Sequence, residues 1–481
     1  IYLLDAGGAK VDASDVYDGA KRVTLKPSAG LNAYASYRLI VDSGLKSAAG
    51  EAILTGKVIR IRTGLDTSDK FPQISDEELL TKVQQQTFRY FWEGAEPTSG
   101  MARERTSSGA TVTTGGTGFG VMAMTVAAER GFVTRSEACQ RVQRIVTFLA
   151  ERATSYHGAF SHWIDGQTGQ TLPFSADDNG ADLVETGLLF QGLLTARAYF
   201  DGADAAESKL RADITALWEA VEWDFFTKEG TEKVLYWHWS PDKGWAMNMP
   251  IQGWNEALIV YVLAASSPTH PIGREVYAEG WARGGAMRNG KLFYDTVLPL
   301  GEDYGGPLFW AQYSFLGLNP RGLSDAYADY WEQVCNHTRI NYAYCVDNPK
   351  GYAGYGADCW GLTASDIPDG YTASSPTNDR GVIAPTAALS SMPYTPDESM
   401  AALRFFYYKL GDKLWSDYGF IDAFDLTTGW FDRGMHIAID QGPIVVMIEN
   451  YRTGLPWNLF MSDKDVQRGL AELGFTVEAG S

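Results

Sequence analysis

Near Ser75 the hydrophobic period of this chain switches from two to three or four, and it stays helical for most of the remaining length. Upstream, VTLKPSAGL, ASYRLIVDSGL and AILTGKVIRIRT alternate apolar and polar residues between Gly, Pro and Asn, the pattern of short half-buried strands. Residues 1–66 are therefore expected to form a small β-sandwich with an incomplete beginning, since few strands precede Val23. Residues 67–74 read as a linker, and residues 75–481 as one large helical domain.

SDEELLTKVQQQTFRYFWEGA opens that domain with a serine cap and acids in the first turn. Roughly a dozen helices are expected in all, among them RSEACQRVQRIVTFLAER, ADLVETGLLFQGLLTARAYF, NEALIVYVLAAS, PLFWAQYSFLGL and GPIVVMIENYRT. Some have a charged face; others are apolar nearly all round and so need cover on both sides. Alternation of the two kinds suggests two concentric rings, an (α/α)6 barrel. The long loops at 159–178, 286–306 and 346–381 are rich in Gly, Trp, Tyr and Asp, and would gather at one rim to build a cleft.

Charge narrows the partners. The net charge of −19 repels phosphate backbones, anionic membranes and polyuronates, so a neutral ligand fits best. The 15 Trp, 25 Tyr and 22 Phe suit either a large core or the stacking of sugar rings. No run of about 18 apolar residues is present to span a bilayer. The start, IYLLDAGGAK, lacks a basic stretch followed by an apolar one, which fits a cytoplasmic chain or one whose signal peptide has been removed. Cys139, Cys335, Cys345 and Cys359 lack zinc spacing and read as structural thiols, with room for one disulfide within 335–359.

Three apolar helices each carry a carboxylate at the mouth. In SADDNGADLVETGLLFQGLL, Asp178, Asp182 and Glu185 fall at the start of one helix, on one face if it begins near Asn179. Helix capping and a calcium loop are the competing readings of that cluster. Glu256 follows Trp254 and Asn255, where desolvation would raise its pKa as a general acid requires. Asp440 precedes GPIVVMIENYRT, and Glu449 inside that helix must be paired or face a cavity. Glycosidic cleavage needs such carboxylates: one protonates the leaving oxygen, another activates water or attacks the anomeric carbon. Trp163, Trp237, Trp239, Trp245, Trp254, Trp310 and Trp360 lie in loops or at helix starts, placed either to stack on sugars or to pack. The six histidines form no catalytic or metal-spaced set, and GTGFG follows no strand, so it reads as a turn opening a helix.

SGMARERTSSG, TTGGTGFGVMAM, ADLVETGLLFQGLL, GWNEALIVYVLAASSPTHPI, CWGLTASDIPDGY and AIDQGPIVVMIENYRTGL resemble the bacterial β-1,2-glucanases, a glucoamylase-like glycoside hydrolase family also related to part of the cyclic β-1,2-glucan synthases. The likeness runs from about 75 to 475, and residues 1–66 resemble an Ig-like module appended to some members. It implies an (α/α)6 barrel, a periplasmic or secreted location, and metal- and cofactor-independent hydrolysis of β-1,2-glucan, endo-acting or sophorose-releasing, with inversion. It points to Glu256 as the acid and to Asp178, Asp182 and Asp440 as further catalytic candidates, with Glu185, Glu449, Trp163, Trp239, Trp254, Trp310 and Trp360 as substrate contacts. An inverting pair should stand about 6.5–9.5 Å apart. A polysaccharide lyase and a non-catalytic glycan-binding protein are the rivals; the negative charge disfavours the first and the clustered carboxylates the second.

Overall fold

A computed structural model describes residues 1–478. It is mainly helical, with thirteen α-helices among the described residues. These are α1 (Asp76–Trp92), α2 (Thr114–Glu129), α3 (Arg135–Glu151), α4 (Leu183–Tyr199), α5 (Ala205–Glu219), α6 (Leu258–Ser266) and α7 (Tyr330–Asp347). They continue as α8 (Pro385–Leu389), α9 (Pro396–Arg404), α10 (Gly411–Leu414), α11 (Ala438–Arg452), α12 (Leu455–Met461) and α13 (Lys464–Leu473). The caps explain several boundaries. Ser75 and Glu78 form a reciprocal capping box at α1, Thr134 and Glu137 do the same at α3, and Asp182 caps α4.

The helices sort by pattern into two layers. α2, α4, α6, α8 and α11 are buried on almost every side, whereas α1, α3, α9 and α13 keep a polar face in solvent. α2 packs on α4 and α11, α4 also packs on α6, and α11 on α8. The α2–α4 approach depends on glycine. A Cβ on Gly118 would stand 2.3 Å from the Leu188 carbonyl oxygen, and one on Gly192 would stand 2.1 Å from that of Gly118. GTGFG therefore lies inside α2, which starts at Thr114, and is not a turn before it.

PLFWAQYSFLGL also departs from expectation, forming two 3₁₀ turns, Leu308–Ala311 and Tyr313–Leu316, where a helix is predicted. Other parts of the fold take the backbone groups a helix would use. The Gln191 side chain bonds the Tyr313 carbonyl and the Gly317 N–H, Thr363 accepts from the Phe309 N–H, and Tyr394, Trp457 and Asn450 donate to the carbonyls of Ala311, Phe315 and Leu316.

Before the helices come five strands: β1 (Tyr2–Leu4), β2 (Ala13–Tyr17), β3 (Val23–Pro27), β4 (Ser36–Val41) and β5 (Lys57–Arg62). β1, β4 and β5 form an antiparallel sheet in that order, and β2 pairs with β3 as a separate hairpin. Within residues 1–66 only Leu3 and Tyr37 are buried apolar side chains. Arg62 ties this region to the helical body by donating to the Leu426, Thr427 and Thr428 carbonyls. All four cysteines are buried free thiols, so no disulfide joins 335 to 359.

Candidate active site

A cleft of about 400 Å³ opens at the N-terminal ends of the inner helices. Aromatic rings make much of its wall: Trp163, Phe174, Trp237, Phe309, Tyr313 and Tyr371. Glu185, Glu256, His162, Glu104 and Arg105 supply its polar groups.

The acidic cluster is built from local structure. Residues Ala181–Asp182 pair antiparallel with His238–Trp239, which sets Asp182 opposite His238 before the chain turns into α4. Asp182 then caps that helix by accepting from the Glu185 N–H at 2.9 Å. The loop before it brings His162, whose Nδ1 lies 3.2 Å from Asp182, while Nε2 lies 3.9 Å from Glu185. His238 Nε2 stands 3.4 Å from Asp178 and 3.7 Å from Asp182. Glu185 accepts from the Gly115 N–H at 2.6 Å, at the start of α2. A Cβ on Gly115 would fall 2.7 Å from that carboxylate, so glycine is what lets α2 offer its amide.

Burial and mutual charge split these acids into two groups. Burial works against ionised Asp182, but hydrogen bonding and charge from His162 and His238 hold it below the usual carboxylate range. Burial likewise opposes charge on His162, yet Glu185, Asp182 and Asp178 outweigh it and carry the imidazole up to about 9. Burial, then the charge of Asp182, pushes Asp178 up to about 7. Glu256, half-buried at the approach to α6, is also pushed up to about 7 by burial, with Asp182 and Glu185 adding to it. A protonated Glu256 beside an ionised Asp182 is a division of labour suited to acid catalysis.

A second acidic set lies under the Ala364–Ile367/Gly370–Ala373 hairpin. Arg105 forks onto Asp366 at 2.8 and 2.9 Å and onto Glu104, and the Asp366 N–H donates to Asp422 at 2.8 Å. Asp440 sits against Asp422, and burial drives its pKa well up. Two sets among the described residues bring three ligand-type atoms within 4.8 Å of one another: His162, Asp178 and Asp182, and Asp366, Asp422 and Asp432.

The structure gathers some of the sequence candidates and disperses others. Glu185, Glu256 and Trp163 line the cleft, with Asp178 and Asp182 directly behind. Asp440 lies behind the wall, with Asp422. Trp239 packs against His157 and Phe225. Trp254 is buried against Phe315 and Tyr330, Trp310 packs beside Phe309, and Trp360 is fully buried with its N–H on the Glu398 carbonyl. None of these four lines the cleft: Trp254 and Trp360 are buried in the core, while Trp239 and Trp310 are half-buried rings packed against it. Glu449 lies nine residues beyond Asp440, about 13 Å along α11 by helical rise, paired with Arg130 at 2.8 Å. It is a buried ion-pair residue remote from the cleft.

His162, Phe174, Phe309, Tyr313, Tyr371 and the Glu104–Arg105 pair complete the cleft without having been singled out as site residues. Three segments singled out in the sequence hold five of these residues: SGMARERTSSG has Glu104 and Arg105, SHWID has His162, and PLFWAQYSFLGL has Phe309 and Tyr313.

The Glycoamylase family model matches residues 248–464. The chain is similar to an exo-β-1,2-glucooligosaccharide sophorohydrolase of Parabacteroides distasonis, 48% identical over 83% of this chain and 58% of that protein's length. It is also similar to an endo-β-1,2-glucanase of Chitinophaga pinensis solved with sophorotriose and glucose, at 51% identity and TM-score 0.82 over 84% of this chain and 99% of that one. A P. distasonis β-1,2-glucanase structure is 42% identical with TM-score 0.81, covering 96% of this chain and 70% of that one. The chain belongs to the bacterial β-1,2-glucanase family of glucoamylase-like proteins.

Proposed function

We propose that this protein hydrolyses β-1,2-linked glucan or glucooligosaccharides with Glu256 as the general acid. The observation that carries the reading is a carboxyl group pushed up to about 7, lining an aromatic cleft beside carboxylates tied to a histidine. Stacking on Trp163, Phe174 and Tyr371 would hold the apolar faces of glucose rings, as expected for a neutral polymer. Asp182 and Glu185, held with His162, set the charge around the acid. Asp178 and Asp440 are the candidates for activating water in an inverting displacement. The cleft lining offers two cations, Arg105 and the His162 imidazolium, but Glu104 and Asp366 occupy the first and Asp182 and Glu185 the second, which disfavours a lyase that must neutralise a uronate.

The relatives' names support the linkage, and they include both exo- and endo-acting proteins. The inner layer suits an (α/α)6 barrel in which the 3₁₀ segment 308–316 takes the place of one inner helix. Residues 1–66 suit an Ig-like support for that barrel, outside the catalytic machinery. A periplasmic or secreted location fits a polymeric substrate; no helix among the described residues is long and apolar enough to cross a membrane.

Leaving-group dependence tests the roles. Glu256→Gln should lose turnover on glucan yet retain most of it on a sophoroside whose phenolate leaving group needs no proton. Asp178→Asn and Asp440→Asn should separate, the water-activating one losing both substrates. Equal loss on both substrates for Glu256→Gln would reject the acid assignment.

A further inference from the structure

We propose that the Tyr313 hydroxyl is a substrate-binding group that hydrogen-bonds a sugar hydroxyl at the point of cleavage, between Glu256 and Asp440. The inference deepens the hydrolase reading and rests on it. Among the described residues, two buried polar groups of the cleft wall have no partner, Trp163 Nε1 and the Tyr313 hydroxyl. An indole N–H can only donate, whereas a phenol both donates and accepts, as a sugar hydroxyl does. Tyr313 is 4% exposed, and native interiors rarely leave such a hydroxyl empty. A neutral ligand rich in hydroxyls would satisfy it.

The surroundings hold the ring and aim the hydroxyl. Gln191 bonds the Tyr313 carbonyl at 2.9 Å, and Phe119 and Phe309 pack on the ring with centroids 5.0 Å away. Ser314, the next residue, donates to the Glu256 carbonyl at 2.5 Å and accepts from the Ile259 N–H at 3.0 Å. Tyr313 is thereby fixed relative to the proposed acid. The side chains whose charge reaches its hydroxyl are Asp440, Tyr371, Glu256 and Glu185, and the last three line the cleft. The hydroxyl therefore faces the cleft and not the core. Burial, then the charge of Asp440, raises its pKa well above the usual phenol value, so it remains a neutral donor throughout the range in which the carboxyls titrate.

Inversion requires the anomeric carbon to be held between the acid and the attacking water. Stacking on aromatic faces leaves a sugar free to slide and turn, and a few placed polar groups remove that freedom. A hydrogen bond from Tyr313 would fix the glucosyl ring that is being cleaved.

Tyr313→Phe deletes one oxygen. On linear β-1,2-glucan, kcat/KM should fall about tenfold, because a sugar hydroxyl is then buried without a partner. Binding is read in a Glu256→Gln background, which slows cleavage. Calorimetric titration there with a β-1,2-glucooligosaccharide should give a Kd about tenfold weaker once Tyr313→Phe is added. The free Tyr313→Phe protein should melt at or above the wild-type temperature, since no bond within the protein is lost. Tyr261→Phe is the contrast: that hydroxyl accepts from the Leu235 N–H at 3.1 Å and donates to the Ile251 carbonyl at 2.8 Å, so its loss should lower the melting temperature. Unchanged kcat/KM and affinity for Tyr313→Phe, with an active wild type, would overturn this proposal alone. A lower melting temperature for the free variant would also overturn it, by revealing a partner within the protein. A wild type that neither binds nor cleaves the glucan would overturn the hydrolase reading and this inference with it.

Discussion

Glu256→Gln should reduce activity and raise stability together, but the stability gain should appear only at higher pH. An ordinary glutamate, with its pKa near 4.5, is protonated about once in 300 molecules at pH 7; a carboxyl at about 7 is protonated in about half, a gain of about 150-fold. That occupancy is what an acid at neutral pH requires, and glutamine cannot supply the proton. Turnover on glucan should fall about 10²–10⁴-fold with little change in KM. The folded pKa lies above the unfolded one. Stability linked to Glu256 is therefore fully present below pH 4.5 and declines as pH rises through 7, by up to about 3 kcal/mol. Glutamine carries no such penalty. The variant should match the wild type near pH 4.5 and melt a few degrees higher near pH 8. Wild-type turnover would refute the reasoning, and so would a melting difference that stays constant between those pH values.

His162→Gln removes the cation that keeps Asp182 ionised, so the acidic limb of the kcat/KM profile should move to higher pH; an unmoved limb would detach His162 from that carboxylate. Gly118→Ala drives a methyl group to 2.3 Å from the Leu188 carbonyl oxygen and should cost about 3 kcal/mol or more, read by denaturant unfolding. Trp163→Ala should raise KM for glucan several-fold with a small change in melting, whereas Trp360→Phe, deep in the core, should lower the melting temperature and leave KM alone. Asp182→Ala should be costlier than a lost cap of about 1 kcal/mol, because it also strands His162 beside Glu185; an effect no larger than capping would show that the pair contributes little.

The helical plan was legible because period and capping are local. Ser75 announces the helix it caps, although α4 starts at Leu183 behind an Asp182 cap and not near Asn179, and the fully apolar character of α4 and α11 already says that both their sides are covered. Carboxylates at helix mouths were legible for the same reason. Illegible were features fixed by partners distant in sequence. Nothing in PLFWAQYSFLGL reveals that Gln191, Tyr394 and Trp457 will take its backbone bonds and leave it 3₁₀. Loop tryptophans look alike in sequence, yet Trp163 reaches the cleft while Trp360 fills the core. Glu449 shows the same limit, since its need for a partner was readable but Arg130, 319 positions away, was not. The Asp366–Asp422–Asp432 set joins a strand of the 364–373 hairpin to the 422–432 segment, which only folding brings together.

Incubation of the protein with linear β-1,2-glucan, followed by chromatography of the products over time, tests the central claim most directly. Cleavage to saturated oligosaccharides is the predicted result, as a ladder of sizes for internal attack or as sophorose from the first time point for attack at chain ends. An intact polymer after prolonged incubation with folded protein would contradict the account.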